Sequence, residues 1–137
     1  MAVNIKKNKP TAKLAKNSKL RNKYPIVRIC LRANANNSLV TLTDLQGEVI
    51  AWSSGGKSGF KGSKKATPFA SQKVTEEIIE RARSVDANSV HLVIQGHGMG
   101  RESFLRAIQA SNLQVESIKD RTEFPHGGAK KANRRRI

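Results

Sequence analysis

The residues of this chain best spaced to hold an anion are Gly96-His97-Gly98-Met99-Gly100-Arg101. They follow the apolar run Val90-His91-Leu92-Val93-Ile94-Gln95 and lead into a pattern of helical period, so the alternating glycines fall in a strand-to-helix turn. A backbone without Cβ atoms can come close to a ligand there. The unpaired N–H groups of the first helical turn would point at it, which favours an anion, a phosphate first of all. Residues 53–65 offer a second cationic element, with four glycines, four serines and the lysines Lys57, Lys61, Lys64 and Lys65 around one aromatic, Phe60. That composition reads as a mobile cationic loop.

Narrower phosphate chemistries fit poorly. Gly56-Lys57-Ser58 suggests a Walker loop, but its first glycine would fall at Ala51, and Gly59 stands where a helix should begin. Gly96 and Gly98 suggest a dinucleotide fingerprint with Asp120 as the ribose contact. The third small residue would then be Arg101, whose bulk obstructs close packing of helix on strand. A two-metal nuclease needs several carboxylates on adjacent strand ends, whereas the first strand offers Arg28 and Arg32. Asp44, Glu48 and Asp120 are single acids that turns and caps explain. His91, His97 and His126 lack the close spacing of a zinc site, and one cysteine, Cys30, cannot complete one. No metal or cofactor is expected. What remains is a turn where backbone N–H groups and Arg101 meet the phosphate of an RNA backbone.

The elements that position these residues can be read in order. From Ile26 to Ala33 the chain alternates, with Val27, Ile29, Leu31 and Ala33 on one face and Arg28, Cys30 and Arg32 on the other. This predicts a strand with one basic face, and Cys30 reads as a buried thiol. A turn at 34–37, a β-branched run at 38–44, a turn at 45–47 and a strand at 48–53 carrying Trp52 complete a three-stranded antiparallel meander. Thr67-Pro68 opens a helix with Val74, Ile78, Ala82 and Val85 on one side, and Glu76, Glu77, Glu80, Arg81 and Arg83 on the solvated side. A strand at 90–95 precedes the glycine turn. A helix of about 101–111 then turns Phe104 or Leu105, with Ile108, inward and ends at Asn112, and a last strand covers 114–120. The order βββαβαβ predicts a mixed sheet with helices packed on it.

Charge is concentrated at the ends. The 137 residues carry 26 Lys or Arg against 10 Asp or Glu, a net of +16. Residues 1–23 hold eight of these cations and 129–137 hold five, with no acid in either segment. That leaves 13 basic against 10 acidic residues in 24–128, a net of only +3. A nearly balanced α/β domain at 24–128 is therefore expected between a basic N-terminal extension at 1–23 and a basic C-terminal tail at 129–137. A polyanion is the expected partner. One cysteine excludes an intrachain disulfide framework and fits a reducing compartment. No apolar run approaches a membrane span and no signal-peptide core follows the N-terminus, so no membrane partner and no secretion are expected.

Segments spread over 24–137 together resemble one family, that of the eleventh protein of the small ribosomal subunit. The run Asn36-Asn37-Ser38-Leu39-Val40-Thr41-Leu42-Thr43-Asp44 resembles its second-strand motif. Ser58-Gly59-Phe60-Lys61-Gly62-Ser63-Lys64-Lys65-Ala66-Thr67-Pro68-Phe69-Ala70 resembles its loop and helix opening. Residues 96–102 resemble its glycine-arginine motif, and Asp120-Arg121-Thr122 with Pro125, His126, Gly128 and the Arg-rich end resembles its C-terminus.

The resemblance implies a ribonuclease-H-like mixed five-stranded sheet with two main helices and no nuclease activity. It also implies a place on the small-subunit platform, bound to rRNA hairpins of the central domain and near the mRNA exit path. The sixth, seventh, eighteenth and twenty-first small-subunit proteins are the implied neighbours where they exist. With the cationic segments, it gives the expected RNA-binding residues: Lys57, Lys61, Lys64, Lys65, Gly96, Gly98, Gly100, Arg101, Arg121, His126, Lys130, Lys131, Arg134, Arg135 and Arg136. Gln95 stands where the family usually has Lys, His97 where it has Pro, and Gly127 where it has the Asn of a His-Asn-Gly segment, so the isoaspartate that can form there in bacterial members cannot form here. The usual Pro-Pro and Cys near the end are missing. These departures suggest a ribosome of an organelle matrix, the mitochondrion first, or of the bacterial cytoplasm. The competing classes are an enzyme acting on nucleic acid or nucleotide, with the turn at 96–101 as its phosphate site, and a general DNA-compacting protein.

Overall fold

A computed structural model describes residues 24–133. Five strands and two α-helices follow in the expected order: β1 (Ile26–Ala33), β2 (Ser38–Thr43), β3 (Val49–Ser54), α1 (Pro68–Ser84), β4 (Ser89–Gln95), α2 (Gly100–Ala110) and β5 (Gln114–Asp120). The sheet order is β3-β2-β1-β4-β5. β1 pairs antiparallel with β2, and β2 with β3, while β1 with β4 and β4 with β5 are parallel. Short connections at 34–37 and 44–48 allow only hairpins, whereas each parallel pair is bridged by a helix, as parallel strands require. This is the ribonuclease-H-like arrangement that the resemblance implied.

Both helices cover one face of the sheet. Val27, Ile29, Leu31 and Ala33 of β1, Val40 and Leu42 of β2, and Val90, Leu92 and Ile94 of β4 bury there against Val74, Ile78 and Ala82 of α1 and Phe104 and Ile108 of α2. The alternation in β1 thus assigns its apolar face to the helices. Thr67 caps α1, its Oγ1 accepting from the Ala70 N–H at 3.3 Å, and Pro68 takes the first helical position where its missing N–H leaves nothing unpaired.

The structure departs from the sequence reading in a few places, each for a physical reason. Cys30 is only partly buried, because its face of β1 carries no helix, and burial still pushes its thiol pKa up against the pull of Arg28 and Arg121. In α2, Phe104 is the residue turned inward, and Leu105 is exposed. That helix ends at Ala110, with Ser111 as its cap and the Ser111 Oγ donating to the Ile108 carbonyl at 2.6 Å. Asp44 leaves the second strand and accepts from the Gly47 and Glu48 N–H groups at 2.7 and 2.8 Å, closing the β2–β3 turn. Glu77 leaves the solvated side of α1 to accept from the Ser53 Oγ at 2.5 Å, which ties the end of β3 to the helix. Among the described residues no helix is long and apolar enough to cross a membrane.

Candidate nucleic-acid interface

Topology gathers what the sequence scatters. β1, β3, β4 and β5 all finish, and β2 starts, at one end of the sheet, so the segments after Ser54, after Gln95 and after Asp120 emerge side by side. Ligands of open α/β sheets favour the carboxyl ends of parallel strands for the same reason. The acids Asp44, Glu48 and Asp86 lie in turns at the opposite end.

The lysine loop has a defined shape. Gly55 donates its N–H to the Ser38 carbonyl at 3.1 Å, and a Cβ there would lie 2.6 Å from the Lys65 carbonyl oxygen, so the loop folds back on its own start. Residues Gly62–Ala66 form a 3-10 helix, which the loop composition did not announce. Lys64 and Lys65 sit in its last turn, and the Thr67 hydroxyl donates to the Lys64 carbonyl at 2.7 Å, delivering both lysines to the opening of α1. The first turn of α1 holds no acid, so its positive dipole end adds to the lysines. Lys61 and Lys64 are exposed and Lys65 is half-buried. Lys57 Nζ donates to the Trp52 carbonyl at 2.6 Å and lies 4.5 Å from the centre of the Trp52 ring.

The glycine turn packs closely against its neighbours. Gly96 has φ +89°, and a Cβ on it would fall inside the Ala33 carbonyl oxygen. A Cβ on Gly98 would lie 2.6 Å from the Asn34 oxygen, and one on Gly100 would lie 2.6 and 2.7 Å from the Ser71 and Ser38 hydroxyls. The room left by the missing side chains is taken by the β1–β2 turn and α1. Gly98 N–H donates to the Ala33 carbonyl at 3.0 Å, and Ser71 Oγ donates to the Gly100 carbonyl at 3.0 Å.

Arg101 closes the site as a clamp. Its Nη1 donates to the Gly96 carbonyl at 2.7 Å and to the Thr122 Oγ1 at 3.3 Å, while its Nη2 pairs with the Asp120 carboxylate. Thr122 donates to Asp120 Oδ1 from both its hydroxyl, at 2.6 Å, and its N–H, at 2.9 Å. The Thr122 hydroxyl foremost, then the Arg101 guanidinium, holds the Asp120 carboxyl down at about 2. The turn and the end of β5 are thereby locked together, and Arg121 continues the ladder with its N–H on the Ile94 carbonyl at 2.8 Å.

Of the sequence-predicted residues, Lys57, Lys61, Lys64, Lys65, Gly96, Gly98, Gly100, Arg101 and Arg121 therefore share one end of the sheet. His126, Lys130 and Lys131 follow along the exposed segment that leaves it, and Arg134, Arg135 and Arg136 lie outside the described residues. Sequence reasoning assigned no role to the aromatics. Phe60 and Phe69 meet edge to face with ring centres 5.9 Å apart, Phe69 stays 66% exposed, and Trp52 is half exposed. Exposed rings beside lysines have the shape that base stacking uses, and the motif that contains both phenylalanines was the available signal. The motif Asp120-Arg121-Thr122 was visible in the sequence, but nothing in it pointed to Arg101, which reaches it across the gap between two loops. Among the described residues no group of three His, Cys, Asp or Glu side chains could hold a metal ion.

A basic α/β domain that brings its lysines, exposed rings and a braced cationic turn to one end is built as an RNA-associated structural protein. The family model described as Ribosomal protein S11 matches residues 26–136. Over 109 residues the chain is 46% identical to the small ribosomal subunit protein uS11c of Cyanidium caldarium, covering 80% of this chain and 84% of that one. The chain belongs to the ribosomal protein S11 family. It is a structural, non-enzymatic constituent of the small ribosomal subunit that binds rRNA and other ribosomal proteins, and the enzyme alternative finds no support.

Proposed function

We propose that the cationic end of the sheet is the surface this protein lays on folded small-subunit rRNA. The observation that carries this reading is the convergence of the lysine loop, the glycine turn and the segment after β5 at one end of the sheet. Lys57, Lys61, Lys64, Lys65 and Arg121 take phosphates there, with His126, Lys130, Lys131, Arg134, Arg135 and Arg136 extending the contact along the tail. Gly96, Gly98 and Gly100 contribute by letting the turn pack tightly, and Arg101 contributes through its clamp.

The division into a basic extension at 1–23, a domain at 24–128 and a basic tail at 129–137 belongs to the same reading. The platform position, the platform protein neighbours and the nearby mRNA path belong to it too. Gln95, His97 and Gly127, where the family usually has other residues, favour a ribosome of an organelle matrix, the mitochondrion first, or of the bacterial cytoplasm.

The test is the salt dependence of binding to a small-subunit rRNA fragment. Lys64→Ala with Lys65→Ala should lower the slope of log K against log salt by roughly one unit per lost phosphate contact. An unchanged slope removes the loop from the interface. Deleting 129–137 should impair incorporation into small subunits on a sucrose gradient while the domain stays folded. Normal incorporation would defeat the role of the tail, and fractionation of cells expressing a tagged chain decides the compartment.

A further inference from the structure

We infer that the face of the sheet without helices extends the RNA-contacting surface beyond Arg121, with Arg28, Arg32 and Lys119 taking phosphates there and Trp52 stacking a base. This rests on the RNA-binding reading above and extends it onto the sheet face, which the loop reaches only at its margin, through Lys57 on Trp52. The registers place the side chains of this face in rows. Trp52, Thr41, Cys30, Val93 and Lys119 form one row across all five strands. Arg32 lies beside Gln95 in the next row toward the cationic end, and Arg28 beside His91 and Ser117 in the row on the other side. Arg121, one residue past Asp120, falls on this face by alternation. Both Arg28 and Arg121 lie near enough to Cys30 to pull on its thiol.

Two features argue for a polyanion rather than a second protein layer. An uncovered sheet face that awaits apolar packing is itself apolar, whereas this one sets three arginines and a lysine among Leu39, Val49, Trp52 and Val93. The acid beside them, Glu116, has His91 for a neighbour, whose Nε2 lies 3.4 Å from Glu116 Oε2 while its Nδ1 shares a 2.8 Å hydrogen bond with Ser117. Neither terminal segment of the chain has the charge to neutralise the face, since 1–23 and 129–137 carry only cations. The spacing also suits a strand of nucleic acid. Arg28 and Arg32 are four residues apart, about 13 Å, and Arg32 and Arg121 are two strands apart, about 10 Å. At the margin of the face, Trp52 is 50% exposed with Lys57 against its ring, the pairing of ring and cation that single strands use for sequence-tolerant stacking.

Trp52 is the only tryptophan of the chain, so its fluorescence reports on this face directly. The experiment titrates the full-length protein with a small-subunit rRNA fragment over a range of salt and compares wild type, Arg28→Gln with Arg32→Gln, and Lys64→Ala with Lys65→Ala. RNA should quench Trp52, and the Arg28/Arg32 variant should lower the salt slope by about 1.4 to 1.8, two contacts at roughly 0.7 to 0.9 each. Arg32 is exposed, so Arg32→Glu alone should weaken binding without altering the thermal melt, and Arg32→Lys should restore it. If the lysine-loop variant loses slope while the Arg28/Arg32 and Arg32→Glu variants do not, the sheet face is not an RNA surface and the loop reading stands. If Trp52 responds only when a second ribosomal protein is added, the face belongs to that protein and the inference fails. If neither set of variants changes the slope, the RNA-binding reading itself has failed.

Discussion

Replacing Gly96 with Ala should destabilise the domain several-fold more than replacing Gly47 with Ala, although both glycines hold the same class of backbone conformation. Gly96 has φ +89° and Gly47 φ +98°. An alanine at either place meets the left-handed penalty of about 1–2 kcal/mol, offset by about 0.4–1 kcal/mol from a stiffer unfolded chain. At Gly47 nothing lies within 4 Å of the new Cβ, so the net loss should be about 1 kcal/mol or less. At Gly96 the Cβ meets the Ala33 carbonyl oxygen, with the Ala33 carbon at 3.0 Å and the Asn34 Oδ1 at 3.3 Å. Overpacking of this kind costs about 1–3 kcal/mol. The displaced oxygen also accepts from the Gly98 N–H, which adds about 1 kcal/mol. The total for Gly96→Ala is roughly 3–5 kcal/mol. At about 4–8 °C per kcal/mol for a small domain, its melting temperature should fall by more than roughly 10 °C. Urea unfolding followed by circular dichroism gives both free energies on one scale. Equal losses for the two variants, within about 0.5 kcal/mol, would refute the account of the glycine turn as a packing device.

Three shorter predictions follow from the same contacts. Asp120 has a folded-state pKa depressed to about 2 from an ordinary 3.8. The stabilisation from its contacts is therefore complete above the ordinary value and is lost progressively as pH falls from about 3.8 through about 2. A carboxyl-carbon NMR titration should show that midpoint, and Thr122→Val should move it toward 3.8; an unmoved midpoint would remove the Thr122 hydroxyl as the leading cause. Phe104→Ala should lose about 3–5 kcal/mol and Leu105→Ala less than about 1 kcal/mol in chemical denaturation, and comparable losses would contradict the rotation of α2. Thr67→Ala should lose about 1 kcal/mol through the α1 cap. It should also speed amide exchange at residues 62–66, because the same hydroxyl holds the Lys64 carbonyl, and exchange unchanged there would separate cap from loop.

The strands and helices were legible because each has a period its neighbours do not share. β1 spans the predicted 26–33 and β5 the predicted 114–120, and Val74, Ile78, Ala82 and Val85 are all buried as the α1 pattern requires. Periodicity reports which side chains share a face, but not which face is covered. That is why Cys30 was expected inside, and why Phe104 and Leu105, adjacent on the edge of one stripe, could not be told apart. The glycines at 96, 98 and 100 were legible as a turn, whereas their reason was not, because the atoms that exclude a Cβ belong to Ala33, Asn34, Ser38 and Ser71. Arg101 presented the same difficulty. Its type suggested a phosphate, and its nearest partners proved to be Gly96, Asp120 and Thr122, two of them 19 and 21 residues away. The family motifs identified the lysine loop, but its 3-10 turn is imposed by the return from β3 to α1.

The sheet order also sets the timetable by which the chain can fold. β2 closes on β1 across the few residues between Ala33 and Ser38, whereas the partner that completes β1 on its other side is 63 positions on, as Ile26 with Ser89. Local hairpins form early, and pairings between distant residues must wait for a large loop to close. The meander of β1, β2 and β3 is therefore expected to pair before β4 joins it, with Val27, Ile29, Leu31, Val40 and Leu42 not yet covered. The strand that becomes central in the finished sheet spends its early life as an edge. Its vulnerable interval lasts until β4 is available, late in a chain of 137 residues, and during that interval the arginines on its other face keep this aggregation-prone edge charged.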